Sequence, residues 1–529
     1  MELEYNDFKI EKIYQVEDFY EDNGKSYNSF HYHILIKKVK EEKMEKQERK
    51  IIDSGLILKF SFIIVSIILV LPSVKYLFTY KTIANFSLFN TWILEKMEVG
   101  NKTLIDAICF VDLFLILTFI YINIIKKDVF KKVKEIIIFL IIVSVIFGIA
   151  IPYMTSDIFY YLGIGWLDSN YHENPYYSTV YNKMQDVQND EILNSTGYWS
   201  KTTCVYGPLW QLISKGISTL SFGSVTIGIY MYKFIAIIIH VLNAMLIYKI
   251  CKKKSFMLLY ALNPMVLFHM ITNVHNDIYV IFLLLLSIYF IKRKKNIWLS
   301  LIALGLSVAI KYFTILFFPF LVLYWTKNEK IYKKFLYGLG YFLFMLAIIS
   351  IPYLFYVRDI NILKAMLVQG DKYSQSIWCL LLVENRMHGW NINIDGCKMM
   401  GYIIFIAIYF CLLIKNLLTK DLKWKNIVRD YELTICIFIF LVLATFQVWY
   451  LVWLLPVIMW QKKENIMFYN NLFLISIIPL GTFIYRQSDG YIYGMWQSMM
   501  ILFLAVLVKL INIIDCNLKR KKIQTKKEG

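Results

Sequence analysis

Apolar residues occur in runs of about twenty along most of the chain after residue 55, and short charged segments separate the runs. A run of this length is what an α-helix needs to cross the hydrocarbon core of a bilayer, which is about 30 Å thick. The pattern therefore predicts an all-α polytopic membrane protein. The runs long enough for single crossings lie at about residues 56–78, 104–125, 136–155, 226–250, 335–355, 399–418, 466–485 and 493–514.

Three further apolar stretches are too long for one crossing and barely long enough for two. They lie at residues 256–291, 299–325 and 431–460. Polar residues interrupt each one near its middle, namely Asn273 to Asp277, then Lys311, then Gln447 to Tyr450. Basic or mixed clusters flank every stretch on both sides. If each stretch is a hairpin of two short helices, the positive-inside rule places all these flanks in the cytoplasm.

The hairpin interpretation predicts about 11 to 14 transmembrane or half-membrane helices, with both termini in the cytoplasm. Half-helices of about 13–17 residues reach only roughly 20–25 Å at 1.5 Å per residue. Their polar tips would therefore meet towards the outer side, where irregular backbone is tolerated only around a protein-enclosed or watery cavity. We expect a site there, facing outward from the plasma membrane.

Composition and charge support a membrane location and argue against nucleic acid as a partner. Hydrophobic residues make up 58% of the chain and charged residues 18%, whereas globular domains carry about 25% charged residues. The net charge of +19 comes from basic clusters between apolar runs, which favours contact with anionic lipids. Eight cysteines without CxxC spacing indicate neither a zinc site nor a disulfide scaffold. We expect no cofactor and no metal site, although a need for a divalent metal stays open.

The chain divides into three regions. Residues 1–52 form a charged cytoplasmic segment, residues 53–518 the membrane domain, and residues 519–529 a basic cytoplasmic tail. In the first region, alternating segments around Phe8–Tyr20 and Phe30–Ile36 flank a turn-forming Asp-Asn-Gly sequence, so a β-hairpin and partial disorder are both open. Within the membrane domain, two large extracytoplasmic loops are predicted at about residues 155–225 and 358–398.

Asp157 is the first candidate for chemistry. It stands where the third span opens into the large outer loop. A carboxylate in that position can accept the proton of an alcohol while a sugar develops oxocarbenium character. The alternative is that Asp157 caps the helix that follows it.

The interrupted hairpins supply the other candidates. His275, Asn276 and Asp277 begin a half-helix, whose free amides and dipole favour an anion such as phosphate; capping by Asn276 or Asp277 is the alternative. Lys311 has no charged neighbour within ten residues. It therefore needs an anionic partner, either a phosphate or Asp277. Aromatic residues of the third hairpin could bind a sugar or simply anchor the membrane interface.

Several short motifs occur in a fixed order over about residues 140–500. They are Ser156-Asp157, Asn174-Pro175-Tyr176, Tyr206-Gly207-Pro208-Leu209, Asn263-Pro264, His275-Asn276-Asp277, Ala309-Ile310-Lys311 and Gln447-Val448-Trp449-Tyr450. As an ordered set they resemble the polyprenol-phosphomannose-dependent α-mannosyltransferase family, within the GT-C class of integral-membrane glycosyltransferases. The chain departs from the family pattern at Val448, where the family usually has Pro, and at Asn273-Val274, where it usually has small residues such as Gly.

The resemblance implies a GT-C fold with an outward catalytic loop, in which Asp157 is the general base. It implies an inverting transfer of a hexose, with mannose expected, from a polyprenyl-phosphate-linked donor to an acceptor glycan or glycolipid of the cell envelope. The residues expected to bind the phosphate or sugar of the donor are Lys311, His275, Asn276, Asp277, Tyr206, Gln447, Trp449 and Tyr450.

Two other functions fit parts of the pattern. Secondary transporters also build substrate sites from broken helices, so a flippase or transporter of lipid-linked sugars is one alternative. A polysaccharide polymerase or ligase that uses the same donors is the other. No nucleotide-sugar site is expected, because no soluble region of the chain is large enough to hold one.

Overall fold

The computed structural model of the protein describes residues 8–22, 25–38, 54–71, 101–152, 155–187, 189–359, 373–460 and 463–478, together with residues 362 and 508. From residue 54 onward these ranges are built of helices, with 3-10 and π turns at several helix ends. The predicted all-α polytopic class is confirmed. The predicted span at 493–514 lies outside the described residues except for position 508.

The N-terminal region contains a two-stranded antiparallel sheet. Strand β1 covers Phe8–Asp22 and strand β2 covers Lys25–Lys38. Pairing runs from Asp22 opposite Lys25 at the turn to Phe8 opposite Lys38 at the open end, with one irregularity after Ile10. The structure thus forms a hairpin around the turn seen in the sequence, with longer strands than the alternation indicated.

Long apolar helices form the membrane part. Five described helices are long and apolar enough to cross a membrane, or six if one bent helix pair counts as a single span. Apolar side chains cover their outer surfaces, as on Phe335, which is 67% exposed, a pattern suited to lipid contact. The helices in the predicted single-span regions are α1 (Ser54–Leu71), α2 (Asn101–Lys126), α3 (Val133–Ile149), α8 (Val225–Cys251), α14 (Ile331–Tyr353), α16 (Ile394–Leu418) and α19 (Lys463–Ile475).

All three interrupted stretches break at or next to their central polar residues, as the sequence predicted. The first consists of α9 (Lys254–Ala261), α10 (Pro264–Thr272) and, after the break, α11 (Asp277–Tyr289). The second consists of α12 (Ile297–Val308), a 3-10 turn (Tyr312–Phe317) and α13 (Phe318–Trp325). The third consists of α17 (Trp424–Ile437), a 3-10 helix (Val448–Leu454) and α18 (Leu455–Ile458). Helix α17 continues into a π turn (Phe438–Val442) before the chain breaks. The break after α10 is called the first tip. The second and third tips are the breaks that follow α12 and this π turn, each taken together with the 3-10 segment after it.

The large loop after α3 is itself folded into helices. These are α4 (Asp157–Tyr171), α5 (Val180–Asp186), α6 (Glu191–Ser195) and α7 (Pro208–Thr219), and a later segment of the chain forms α15 (Ile377–His388). Helices α4 and α7 approach so closely that a Cβ atom on Gly165 would lie 2.4 Å from the carbonyl oxygen of Ser214. The buried Asp168 adds a second link, since its carboxylate pairs with Lys215 at 2.8 Å and accepts a hydrogen bond from Tyr356 at 2.7 Å.

Candidate active site

Asp157 and His275 come together where α4 begins and the first tip ends. The Asp157 Oδ2 atom lies 3.2 Å from the Nδ1 atom of His275, and the Asp157 side chain keeps 17% of its surface exposed. Asp157 is the first residue of α4, and the N-cap position belongs to Ser156. The alternative of Asp157 as helix cap is therefore not what the structure forms, and its carboxylate is available for another use.

His275 lies on the indole of Trp449, which comes from the third tip. Their rings stack with centroids 3.8 Å apart and planes 14° apart. The imidazole is fully buried, and its Nε2 atom has no hydrogen-bond partner among the described residues. The stacking fixes the plane of the imidazole, so His275 presents a defined edge to Asp157.

Lys311 and Asp277 form a second charged pair. The Lys311 Nζ atom lies 2.8 Å from Asp277 Oδ1, and the Asp277 side chain is 1% exposed. The indole nitrogen of Trp453 donates to the same oxygen. The anionic partner that Lys311 required is therefore Asp277. The second oxygen, Oδ2, is buried and has no partner among the described residues.

Aromatic rings from the second and third tips surround the lysine. Its ammonium lies 4.8 Å from the ring centre of Tyr450 and 5.1 Å from that of Trp453. These two rings stack at 4.4 Å, and Phe313 stacks on the other side of Trp453 at 3.8 Å. A cation above such faces gains electrostatic attraction from the ring quadrupoles, and the flat faces suit the apolar side of a sugar ring.

The large loop after α3 holds the second tip in place through main-chain hydrogen bonds. The amide of Gly207 donates to Ile310 O and the amide of Leu209 donates to Ala309 O, both at 3.0 Å. A Cβ atom at position 207 would lie 2.1 Å from Ala309 O. Only glycine allows this approach, which places the Tyr206–Leu209 motif directly against the segment that carries Lys311.

The third tip is held in a similar way by the segment that precedes α15. Main-chain hydrogen bonds join Ser374 to Ala444 at 3.2 Å and Phe446 to Ser374 at 2.8 Å. The Ser376 hydroxyl also donates to Ala444 O. Two segments that are distant in sequence therefore hold two of the tips, and this fixes the aromatic residues of the third tip.

Tyr206 lies beside α4 and close to Asp157. Its ring meets Tyr161 edge to face with centroids 5.2 Å apart. Burial, followed by the charge of Asp157, raises the pKa of the Tyr206 phenol well above its ordinary value. The phenol therefore stays protonated and can donate a hydrogen bond at the edge of the site.

The predicted site residues fall into two groups. Six of them form one cluster, in which Asp157, His275 and Trp449 make one set of contacts and Asp277, Lys311 and Tyr450 make another. The neighbouring rings of Trp449 and Tyr450 join the two sets, with centroids 6.0 Å apart. Of the remaining three, Tyr206 lies at the edge of the cluster. Asn276 lies between two of these in the chain, but its amide makes no cap bond and has no partner among the described residues. Gln447 is half-buried at the start of the 3-10 helix, and no hydrogen bond between described residues joins its side chain to the cluster.

Two residues of the site were missed by sequence reasoning. Trp453 could have been found from its spacing, because a 3-10 helix has three residues per turn and places Tyr450 and Trp453 on one face. His269 gave no such signal. It is buried in the last turns of α10, both ring nitrogens lack partners among the described residues, and its ring centre lies 5.9 Å from that of His275.

The described residues offer no obvious metal centre. Among them, no group of three or more His, Cys, Asp or Glu side chains is placed to hold an ion. The groups that could hold a ligand are instead one lysine, the free edge of an imidazole, buried amides and several aromatic faces.

Fold and site together define a polytopic membrane protein whose polar centre is assembled at interrupted helices. The sequence model of a family described as alpha-(1->6)-mannopyranosyltransferase, N-terminal domain, matches residues 79–327, slightly less than half of the chain. This part of the chain is therefore similar to a family of mannosyltransferases. The resemblance drawn from the ordered motifs is thereby confirmed at the level of a mannosyltransferase family.

The matched range covers only part of the site. It includes Asp157, Tyr206, the first tip and Lys311, and it ends before the third tip with its aromatic residues. No curated protein and no solved structure matches the chain.

Proposed function

We propose that the protein is an inverting glycosyltransferase that transfers a hexose, with mannose as the first candidate, from a polyprenyl-phosphate-linked donor to an acceptor glycan or glycolipid. The observation that carries this proposal is the partly exposed Asp157 carboxylate, held by His275 in the same cluster as the Lys311–Asp277 pair. A general base and a site for a departing anion are the two components that such a transfer requires.

In the proposed reaction, Asp157 accepts the proton of the acceptor hydroxyl. The acceptor oxygen then forms a bond to the anomeric carbon on the face opposite the phosphate. The bond between that carbon and the phosphate oxygen breaks, and its electron pair leaves on the polyprenyl phosphate. Attack from the opposite face inverts the anomeric configuration. His275 contacts Asp157 through Nδ1 and fixes the direction in which the carboxylate faces.

The leaving phosphate gains negative charge as that bond breaks. Lys311 offers ammonium hydrogens beyond the one used on Asp277, and its position above two aromatic faces keeps it partly out of water. The amides that begin α11 add the positive end of a helix dipole beside it. A phosphate ester is already a good leaving group, so neutralisation of charge is enough and no proton donor is required.

A lipid-linked donor and an outward orientation belong to the same proposal. The cluster lies where helices too short to cross a bilayer end, and a polyprenyl chain can reach such a site from the surrounding lipid. The basic flanks of the interrupted stretches favour cytoplasmic ends for these helices, which turns the tips to the extracytoplasmic face of the plasma membrane.

The test compares wild type with Asp157→Asn in the transfer of radiolabelled hexose from polyprenyl-phosphate donors to membrane acceptors. We expect the variant to lose about a hundredfold or more in rate, the scale of general-base removal. The matched control is Asp190→Asn. Asp190 caps α6 and accepts hydrogen bonds from Trp166 and Tyr171 at 2.8 and 2.6 Å, so its loss should lower stability and leave most of the transfer rate.

Two results would contradict the proposal. An Asp157→Asn enzyme that transfers hexose as fast as wild type would remove Asp157 from the role of base. A wild-type protein that moves the lipid-linked donor across a liposome bilayer without forming a glycosidic bond would be a transporter.

A further inference from the structure

Lys233 is a fully buried lysine in the middle of the protein. It lies on α8, is 1% exposed and donates hydrogen bonds to Ala150 O and Thr272 O, both at 2.6 Å, with Ile271 O at 3.5 Å. No carboxylate among the described residues pairs with it. Because a buried amino group is costly without hydrogen-bond partners, these carbonyl oxygens must supply the compensation.

The three carbonyl groups are suited to this because they end two helices. Ala150 is the C-cap of α3, while Ile271 and Thr272 end α10. The last carbonyl groups of a helix lack partners within the helix and carry the negative end of its dipole. The Lys233 amino group therefore joins two helix ends that would otherwise leave unpaired carbonyl oxygens facing each other. The Thr272 hydroxyl makes a second link, donating to Phe147 O at 2.9 Å.

Each of these helix ends leads directly to one member of the Asp157–His275 pair. The chain passes from Ala150 to Asp157 in seven residues and from Thr272 to His275 in three. We propose that Lys233 is a positioning residue, which fixes the ends of α3 and α10 relative to each other so that Asp157 and His275 meet. Its effect on hexose transfer rests on the function proposed above, whereas its effect on the geometry of the pair does not.

The chain provides a matched control in Tyr230. This residue lies one turn before Lys233 on the same helix, and its hydroxyl donates to Ile149 O at 2.9 Å. It therefore contacts the end of α3 but does not bridge to α10. Tyr230→Phe removes a hydrogen bond of the same kind at the same helix end without removing the bridge.

The experiment measures the geometry by cross-linking. Asp157→Cys and His275→Cys are combined in full-length protein whose native cysteines are replaced, and a short bifunctional thiol reagent is applied. With Lys233 present, we expect efficient cross-linking. Lys233→Met should lower the yield several-fold, whereas Tyr230→Phe and Lys233→Arg, which can still donate to both helix ends, should keep most of it. Unchanged cross-linking in the Lys233→Met protein would overturn the proposal.

A folding control accompanies the variants. Lys233→Met leaves the carbonyl oxygens of Ala150 and Thr272 without this donor, so it is expected to lower the stability of the protein. Only protein that is monodisperse in detergent is used for cross-linking. If it is not recovered, Lys233→Gln takes its place with the same expectation, because its amide is too short to reach both helix ends. Full cross-linking in the Gln protein would equally overturn the proposal.

Transfer measurements on proteins with native Asp157 and His275 then separate this inference from the proposed function. If both hold, Lys233→Met lowers kcat by about ten- to a hundredfold, the scale expected when reacting groups shift by about 1 Å. The KM for the lipid-linked donor should change little, and Lys233→Arg should restore much of kcat. If cross-linking depends on Lys233 but wild type transfers no hexose, the positioning role stands and the proposed function fails.

Discussion

Two buried carboxylates, Asp430 and Asp277, each hold a lysine at 2.8 Å and nevertheless differ in how fully they are paired. Asp430 lies on α17, and both of its oxygens are occupied. Lys415 contacts both oxygens, Arg429 contacts Oδ1 at 3.0 Å and Asn416 contacts Oδ2 at 2.8 Å. A carboxylate saturated in this way ties α16 to α17 and has no capacity left for a ligand.

Asp277 is buried to the same extent, but only one of its two carboxylate oxygens has hydrogen-bond partners among the described residues. Lys311 and Trp453 both contact Oδ1, while Oδ2 has no partner among the described residues. Most buried polar atoms in proteins are paired, and an exception calls for a reason such as a catalytic role or a missing ligand. The comparison teaches that the completeness of pairing, and not the presence of an ion pair, separates the site from the scaffold.

The strongest test of this comparison removes the lysine from each pair. Lys311→Met should lower hexose transfer by about 10²–10³-fold, the scale seen when one stabilising group for transition-state charge is lost. Lys415→Met should leave transfer close to wild type, because Asp430 retains Arg429 and Asn416. Both rates are measured at matched expression with the same donor. Equal losses of hexose transfer in the two variants would show that the two ion pairs do not differ in function.

A smaller effect is expected when the carboxylates are changed. Asp277→Asn keeps the shape of the side chain but releases Lys311, so transfer should fall by roughly ten- to a hundredfold. Asp430→Asn should keep its transfer rate and lower the free energy of unfolding by about 1–3 kcal/mol through its lost charged hydrogen bonds. Thermal unfolding in detergent, measured alongside transfer, separates the two results. A stable Asp277→Asn protein with full activity would place Asp277 with the scaffold.

The smallest effect concerns the backbone contact that holds the second tip. Gly207→Ala places a Cβ atom against Ala309 O, so the two segments must separate, and we expect transfer to fall by about tenfold. Gly216→Ala is the control. A Cβ atom there meets nothing within 4 Å, and alanine in a helix interior should stabilise α7 by roughly 0.5–1 kcal/mol. If Gly207→Ala left transfer unchanged, the contact would be dispensable for the site.

The sequence allowed the three helix breaks to be predicted, because polar residues inside an apolar run are costly unless the run is interrupted there. The positions of the basic flanks also predicted that the three tips lie together on one side of the membrane domain. The partner of Lys311 was narrowed to two candidates by the same argument, since an isolated ammonium at that depth requires an anion. These inferences depend on local composition and on the bilayer, both of which the sequence displays directly.

The contacts across the site were not predictable in this way. His275 was expected to face a phosphate, whereas the structure places its Nδ1 atom 3.2 Å from Asp157, which is 118 residues away in the chain. The residue pattern within either segment does not indicate that the two side chains are in contact. The Lys233 bridge was equally hidden, because a lysine within an apolar helix shows that a partner is needed without showing that two main-chain ends supply it.

Val274 is a sequence departure that carries a backbone cost. This residue stands where the resembled family usually has small residues, and its φ of 53° is in the left-handed region. Such a conformation is a genuine outlier for a β-branched side chain and costs about 1–3 kcal/mol. Val274 lies directly before His275, so the strain is located at the turn that delivers the imidazole to Asp157.

Assembly of the site from distant segments also imposes an order during synthesis. A ribosome adds about 5–20 residues per second. Lys311 follows Asp277 by 34 residues and Trp453 follows it by 176, which corresponds to delays of roughly 2–7 s and 9–35 s. In a nascent chain, the residues of the ion pair are therefore complete before the third hairpin, which supplies the aromatic surface, has been synthesised. A chain whose synthesis stops after Lys311 and before Trp453 would contain the charged residues of the site but lack the full set of aromatic rings proposed to contact a sugar.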